Sequence, residues 1–172
     1  MISPQHARSM AAYNEWQNAS IFAAADRLTE GARREDRRAF FRSIHGTLAH
    51  ILWADHVWLS RFERCTKPPT AQQDSGDYIG DWASLRIERD RTDYLFSDWA
   101  SGLDEDTLSG TLSWYSGSTG RDARAPVWVV ITHIFNHQTH HRGQVHAMLT
   151  AAGERTADTD LFLMPAERWP LR

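Results

Sequence analysis

The sequence predicts an all-α protein: a four-helix bundle with a short irregular or hairpin excursion before the last long helix. Apolar residues recur at helical spacing through four long segments, and glycine or proline residues separate those segments. Only the stretch Thr111–Trp114 alternates between polar and apolar residues as a strand does. A chain of 172 residues has the length of one domain, and we expect residues 1–172 to form it.

The first two predicted helices lie on either side of a charged connection. The first begins at Ser3-Pro4, where serine caps the helix and proline takes its first position, and it continues to Leu28. Segment 32–38 mixes acids with arginines, which indicates a solvated connection. The second helix spans about Asp36–Arg64, and Pro68-Pro69 closes it because proline cannot continue a helix. Its expected apolar stripe consists of Phe40, Phe41, Ile44, Leu48, Ile51, Leu52 and Leu59.

A polar loop and a third helix are expected next. Residues 70–80 are rich in turn formers, which predicts a loop. Asp81 is a suitable cap for the helix that follows, and Gly102 ends it. The expected buried face of this helix consists of Leu85, Tyr94, Leu95 and Trp99.

The last long helix follows the excursion formed by residues 103–124. Ala125-Pro126 opens this helix, with proline again at the first helical position, and Gly153 closes it. The tail, residues 154–172, has no periodicity, and we expect it to pack across the bundle.

Composition and charge exclude several classes of protein. The formal net charge is −3, so the chain lacks the basic surplus with which nucleic-acid-binding proteins neutralise phosphates. No apolar run approaches the roughly 18 residues of a membrane span, and the N-terminus lacks the apolar region of a signal peptide. The single cysteine, Cys65, cannot form an internal disulfide, which is typical of a reducing compartment. We therefore expect a cytoplasmic protein without nucleic-acid or membrane partners.

Histidines cluster in the fourth predicted helix. On a wheel of about 100° per residue, His133, His137, His140 and His141 share one face of that helix. Neutral imidazole is a ligand for zinc, nickel, iron and copper, so the stripe indicates a metal site. A hydrogen-bonded polar seam is the alternative interpretation.

Distances along the helix limit which histidines can share one ion. Residues four apart are separated by about 6 Å along the axis, and residues eight apart by about 12 Å. The longer distance is too great for two imidazoles on a single ion, which excludes His133 together with His141. The remaining pairs are His133 with His137, His137 with His141, and His137 with His140. Every pair contains His137.

A third ligand has to come from another helix, because one helix face supplies only two. The second predicted helix contains His45, His50 and His56, and only His50 has largely apolar neighbours at helical spacing. We expect His45 and His56 at the surface. The pattern excludes a zincin protease, because Gln138 follows His137 where such an enzyme needs a glutamate as general base.

Three segments carry a resemblance to a known family. Residues 133–144 read His-Ile-Phe-Asn-His-Gln-Thr-His-His-Arg-Gly-Gln, residues 13–16 read Tyr-Asn-Glu-Trp, and residues 46–52 read Gly-Thr-Leu-Ala-His-Ile-Leu. Together they resemble the DinB-like (DinB/YfiT) metalloenzymes over nearly the whole chain. The resemblance implies a four-helix bundle, often a homodimer, that holds a divalent metal ion with three histidines. Carried over by motif, these metal ligands are His50, His137 and His141.

The resemblance also implies a type of reaction. Relatives in this family include S-transferases and isomerases that use low-molecular-weight thiols such as bacillithiol or mycothiol. We expect a divalent ion, zinc or nickel before iron or copper, that activates such a thiol or water against a small electrophile. The reaction would be of the S-transferase, isomerase or hydrolase type, with a small molecule as substrate.

Further residues are candidates for supporting roles. His133 and His140 are candidates for lining the pocket and for acid–base chemistry. The residues that could orient the ligands are Asn14, Asp55 and Gln144. The alternative function is a non-catalytic metal-binding stress or interaction module, and a carrier of apolar ligands is a weaker third possibility. A cavity that reaches the metal favours the enzyme.

Overall fold

The chain folds mostly into α-helices with one small sheet. A computed structural model describes residues 1–170. The helices are α1 (Pro4–Asp26), α2 (Glu30–Arg34), α3 (Ile44–Arg61), α4 (Trp82–Ser101), α5 (Glu105–Ser109) and α6 (Val127–Ala151). The strands are β1 (Thr111–Ser116) and β2 (Arg121–Pro126), and short 3-10 helices span Gln72–Asp77, Leu161–Leu163 and Ala166–Arg168. The predicted predominance of helix and the predicted excursion before the last long helix are both confirmed.

Side-chain caps fix the starts of three long helices. The oxygens of Ser3, Ser43 and Asp81 each accept a hydrogen bond from a backbone N–H in the first turn of α1, α3 and α4. Helix α6 begins differently, because Pro126 is the last residue of β2 and not, as predicted, the first residue of the helix. The hairpin therefore leads directly into α6, with no loop between them.

Helix α3 begins later than predicted, because the connection before it is not helical. The prediction started this helix near Asp36. Arg38 and Arg42 have φ angles of 59° and 64°, a left-handed conformation that interrupts a right-handed helix. Phe40 therefore lies outside the helix and is 83% exposed, although the predicted apolar stripe included it.

The buried face of α4 differs from the prediction at one position. Leu85 and Trp99 are buried as predicted, whereas Tyr94 is 72% exposed. The inward positions between Leu85 and Trp99 include Arg89 and Thr92, which look like surface residues in the sequence. Because these polar residues occupy part of the buried face, the pattern of apolar residues alone wrongly placed Tyr94 on that face.

The long helices pack in a closed ring. Helix α1 contacts α4 and α6, and α3 contacts the same two helices. Two apolar clusters fill the interior, one around Phe96, Ile131 and Ile134, the other around Leu52 and Leu149.

A central polar layer separates these two clusters. In each long helix its residues lie between the positions that belong to the two clusters, and all of them are buried. They are Asn14, Gln17, Asn18, Asp55, His56, Arg89, Thr92, Asp93, Gln138, His141 and Arg142.

The segment after α6 lies against α1. The Tyr13 hydroxyl donates a hydrogen bond to the carbonyl of Thr159 at 2.5 Å, and the Gln17 amide donates to the carbonyl of Asp158 at 2.9 Å. None of the helices in the described part of the chain is long and apolar enough to cross a membrane.

Candidate metal centre

Three histidines from two packed helices meet at one point. Helix α3 carries His50, and α6 carries His137 and His141 one turn apart. One ring nitrogen from each of the three lies within 4.8 Å of those from the other two, and the Nε2 atoms of His50 and His137 are 3.3 Å apart. The structure thus brings together the three residues to which the family motif points, in an arrangement that could hold a metal ion. His50 and His141 are buried, and His137 is half-buried.

Hydrogen bonds on the outer ring nitrogens leave the inner nitrogens free. The Ser75 hydroxyl donates to the carbonyl of Gln72 at 2.6 Å, so its oxygen accepts the 2.8 Å hydrogen bond from Nδ1 of His50. Nδ1 of His141 donates to Oε1 of Gln144, also at 2.8 Å. In both rings the proton is therefore on Nδ1, and Nε2 keeps the lone pair that a metal ion needs.

Electrostatics keeps these rings uncharged. Burial lowers the pKa of His50 and His137 to about 3, and repulsion from the neighbouring imidazoles acts in the same direction. Burial also lowers the pKa of His141. A divalent ion binds neutral imidazole, so three neutral rings, each with one nitrogen in this cluster, fit such an ion.

Aromatic side chains hold the ring of His50 in place. Phe41, from the connection before α3, stacks on His50 with ring centres 3.7 Å apart and an angle of 17° between the planes. The same phenyl ring meets the edge of His141 at 5.5 Å. The ring centre of Trp53 lies 5.8 Å from that of His50. These contacts limit ring rotation, so the free nitrogens of His50 and His141 are pre-oriented.

A cavity of about 490 Å³ reaches the histidines. His50 and His137 line it together with three tryptophans, Trp53, Trp58 and Trp114. Trp114 belongs to strand β1, so the hairpin that precedes α6 contributes to this cavity.

The two remaining histidines of the stripe lie in different surroundings. His133 lines the cavity, 5.2 Å from the Trp58 ring and 5.8 Å from His137. Its pKa is lowered by burial and by the positive charge of Arg61. His140 is exposed, as His133 is, but does not line the cavity.

Two predictions about α3, the second helix expected from the sequence, were wrong. His45 and His56, expected at the surface, are 2% and 7% exposed. Both rings form hydrogen bonds with other segments. Nε2 of His45 bonds to the carbonyl of Ile79, and the two ring nitrogens of His56 bond to the hydroxyls of Tyr78 and Thr92. Their partners lie in α4 and in the connection before it, so spacing along α3 alone could not reveal this burial.

Of the three residues predicted to orient the ligands, only Gln144 contacts one of them. Within the described residues, neither Asp55 nor Asn14 hydrogen-bonds to His50, His137 or His141. The sequence analysis also missed Ser75, because a serine in a polar loop gives no signal of burial.

Asp55 and Asn14 bind arginines and an amide instead. Asp55 accepts a hydrogen bond from Gln138 at 2.8 Å and pairs with Arg89 at 2.6 Å. Asn14 accepts a hydrogen bond from Arg142. Gln138 follows His137 directly and is fully buried, so its bond to Asp55 ties the metal-site segment of α6 to α3.

Comparisons with known proteins show the family and a similar fold. The model of the DinB family matches residues 3–169. The chain is 26% identical to protein DinB of Bacillus subtilis (strain 168) over 167 residues, which cover 91% of this chain and 94% of that protein. Its fold is similar to the crystal structure of a DinB-like protein from Bacillus cereus ATCC 10987, with a TM-score of 0.50 at 18% identity, covering 83% of this chain and 90% of that one. Since the family model matches nearly the whole chain, the protein belongs to the DinB family.

Proposed function

We propose that this protein is a metal-dependent enzyme with His50, His137 and His141 as the ligands of one divalent ion. It would catalyse the attack of a low-molecular-weight thiol or of water on a small electrophile, as an S-transferase, isomerase or hydrolase does. The observation that carries this proposal is the cavity of about 490 Å³ that His50 and His137 help to line. A closed structural site has no need of such an opening.

The ligand set is typical of catalysis. Three protein ligands leave at least one position of the ion open, whereas structural zinc sites use four and often include cysteine. A bound ion would supply Lewis acidity, which lowers the pKa of a thiol or water that binds there. Imidazole ligands suit zinc and nickel, our first choices, and also iron and copper.

His133 is the candidate acid–base residue. Its imidazole lines the same cavity as His50 and His137, where a ring nitrogen could accept the proton that the nucleophile releases. His140, the other candidate, is exposed and hydrogen-bonded through Nε2 to Gln144 at 3.3 Å. We therefore place His140 at the surface near the site, outside the cavity.

The proposal extends to the assembly. We infer that α1, α3, α4 and α6 form a four-helix bundle of a single domain, because each of these helices packs on two others in a ring. A homodimer in the cytoplasm is the expected form, on the basis of the family resemblance and the single cysteine.

The alternative is a non-catalytic metal-binding stress or interaction module. In such a module the metal would be sealed beneath side chains. The cavity lined by His50 and His137 therefore favours the enzyme over the module. A turnover assay separates the two possibilities more directly.

The assay uses protein loaded with zinc or nickel and a panel of thiols with 1-chloro-2,4-dinitrobenzene, together with an activated ester for hydrolysis. We expect turnover by the wild type, no turnover by His137→Ala, and a rate lowered about 10²-fold or more in His133→Ala. His146→Ala on the same helix is the control and should keep the wild-type rate. Metal-loaded wild type that turns over no member of the panel would favour the non-catalytic module.

A further inference from the structure

Arg61, at the end of α3, is a half-buried cation without an acidic partner. Its guanidinium carbon lies 4.0 Å from the centre of the Trp58 ring and 5.2 Å from that of Trp114. Within residues 1–170 it makes no ion pair and no hydrogen bond. Burial lowers its pKa to about 10, so the group keeps its charge at neutral pH.

Stacking on an indole leaves the hydrogen-bonding capacity of a guanidinium unused. The guanidinium carbon lies over the Trp58 ring, and a cation–π contact of this kind uses none of the N–H donors, which lie in the plane of the group. A fork of this kind matches a carboxylate, which it can bind with two parallel hydrogen bonds. Arg61 and His133 line the same cavity.

The surroundings of Arg61 form a continuous cleft. Arg61, Trp53 and Val57 line both the cavity of about 490 Å³ that reaches the histidines and a second cavity of about 590 Å³ beside it. Lys67 lines the second cavity as well. No aspartate or glutamate is among the described residues that line either cavity. The cleft therefore combines indole walls with two cations and no opposing charge.

We propose that this cleft binds an organic anion with a flat apolar body, an aromatic carboxylate, whose carboxylate group pairs with Arg61. The ring lies against the indoles of Trp58 and Trp114, and the rest of the molecule points towards His133 and the candidate metal centre. This inference rests on the proposed function, because it names the class of substrate for the same site.

The test compares two probes of nearly equal shape, 2-naphthoate and the neutral 2-naphthalenemethanol. Their affinities are measured by isothermal titration calorimetry on the full chain as purified, with the metal content determined for each sample. A charge-assisted pair in a half-buried site predicts that the wild type binds the anion about tenfold more tightly than the alcohol. We expect Arg61→Met to lose this preference while it still binds the alcohol, and Arg61→Lys to recover part of it.

Two further variants separate this inference from the proposed function. Arg91→Met removes an exposed arginine of α4 and should leave the preference unchanged. His137→Ala removes the proposed metal ligand and should also keep the preference, because Arg61 is intact. A preference that disappears in His137→Ala but survives in Arg61→Met would place the carboxylate on the metal and overturn the inference.

Further outcomes of these measurements also test the inference. Equal affinities of the wild type for both probes, or no binding of the anion, would overturn the inference. Loss of both probes in Arg61→Met without recovery in Arg61→Lys would do the same. Metal retained by His137→Ala contradicts the proposed function and leaves the assignment of Arg61 standing.

Discussion

At the scale of single residues, one hydrogen-bond partner decides which ring nitrogen faces the candidate metal centre. Oε1 of Gln144 accepts only, so His141 must carry its proton on Nδ1 and direct the lone pair of Nε2 inward. Ser75 fixes His50 in the same way, since its own proton is used on the carbonyl of Gln72. These two hydrogen bonds fix the tautomers of His50 and His141 without the help of a bound ion.

This role of Gln144 predicts a loss of affinity when the acceptor is removed. In Gln144→Leu the Nδ1 proton of His141 has no partner, so the ring loses its fixed tautomer and orientation. We expect metal affinity to fall about 10-fold to 100-fold, measured by competition with a chromophoric chelator. Gln73→Leu, an exposed glutamine without a hydrogen bond to any ligand, is the matched control. Equal affinities of Gln144→Leu and wild type would show that the contact has no effect on metal binding.

At the scale of elements, the connection before α3 does more than join two helices. It brings Phe41 over the ring of His50, and it passes so close to α3 that only glycine fits at position 46. A Cβ atom on Gly46 would lie 2.5 Å from the carbonyl oxygen of Phe41. The Gly-Thr-Leu-Ala-His sequence of α3 therefore combines a close backbone approach at Gly46 with a candidate ligand at His50.

A pair of glycine substitutions tests this close approach. Gly46→Ala must push the backbone of Phe41 away, and overpacking of this kind costs about 1–3 kcal/mol of unfolding free energy. We also expect weaker metal binding, because Phe41 moves from the ring of His50. Gly143→Ala meets no atom within 4 Å and should be neutral or stabilising by up to about 1 kcal/mol.

Urea unfolding of both glycine variants gives the comparison. If Gly46→Ala proved as stable as Gly143→Ala, the connection could not be packed against α3 as closely as the structure indicates.

The sequence predicted the elements best where local signals were sufficient. Caps at Ser3 and Asp81 gave helix starts, and the alternation around Trp114 gave the hairpin. The start of α3 was wrong because Arg38 and Arg42 adopt a left-handed conformation that usually marks glycine. Such a conformation follows from tertiary packing, and arginine carries no sign of it in the sequence.

The candidate site was predictable only in part for the same reason. The α6 histidines could be grouped from helical spacing, and the choice of His137 with His141 came from the family motif. His45 and His56 were assigned to the surface because their buried partners are distant in sequence, in α4 and the connection before it. Spacing along one helix reports which residues share a face, but it does not report what covers that face.

At the scale of the whole molecule, the central polar layer relates the site to the helix ring. Two buried arginines, Arg89 and Arg142, balance two buried carboxylates, Asp55 and Asp93, so the layer carries no excess charge. Arg89 pairs with Asp55 of α3 at 2.6 Å and with Asp93 of its own helix at 2.9 Å. Asn18 of α1 donates to Asp93 at 2.8 Å.

These bonds hold the helices in one relative register. A sliding of α6 against α3 would break the bond from Gln138 to Asp55 and leave the buried Gln138 amide without this partner, which costs more than an equivalent apolar mismatch. The same register brings His137 to His50. The bond from Gln138 to Asp55 thus helps to define the alignment of the two helices that carry the candidate ligands.

The central claim is that this alignment creates a metal site, and elemental analysis tests it most directly. Wild type, His137→Ala and His146→Ala are purified without a metal-affinity column, and the metal bound per chain is measured for each. We expect about one divalent ion per chain in wild type and in His146→Ala, and none in His137→Ala, with all three showing the same helical circular dichroism. No metal in the wild type, or metal retained by His137→Ala, would contradict the claim and make the histidine stripe a hydrogen-bonded seam.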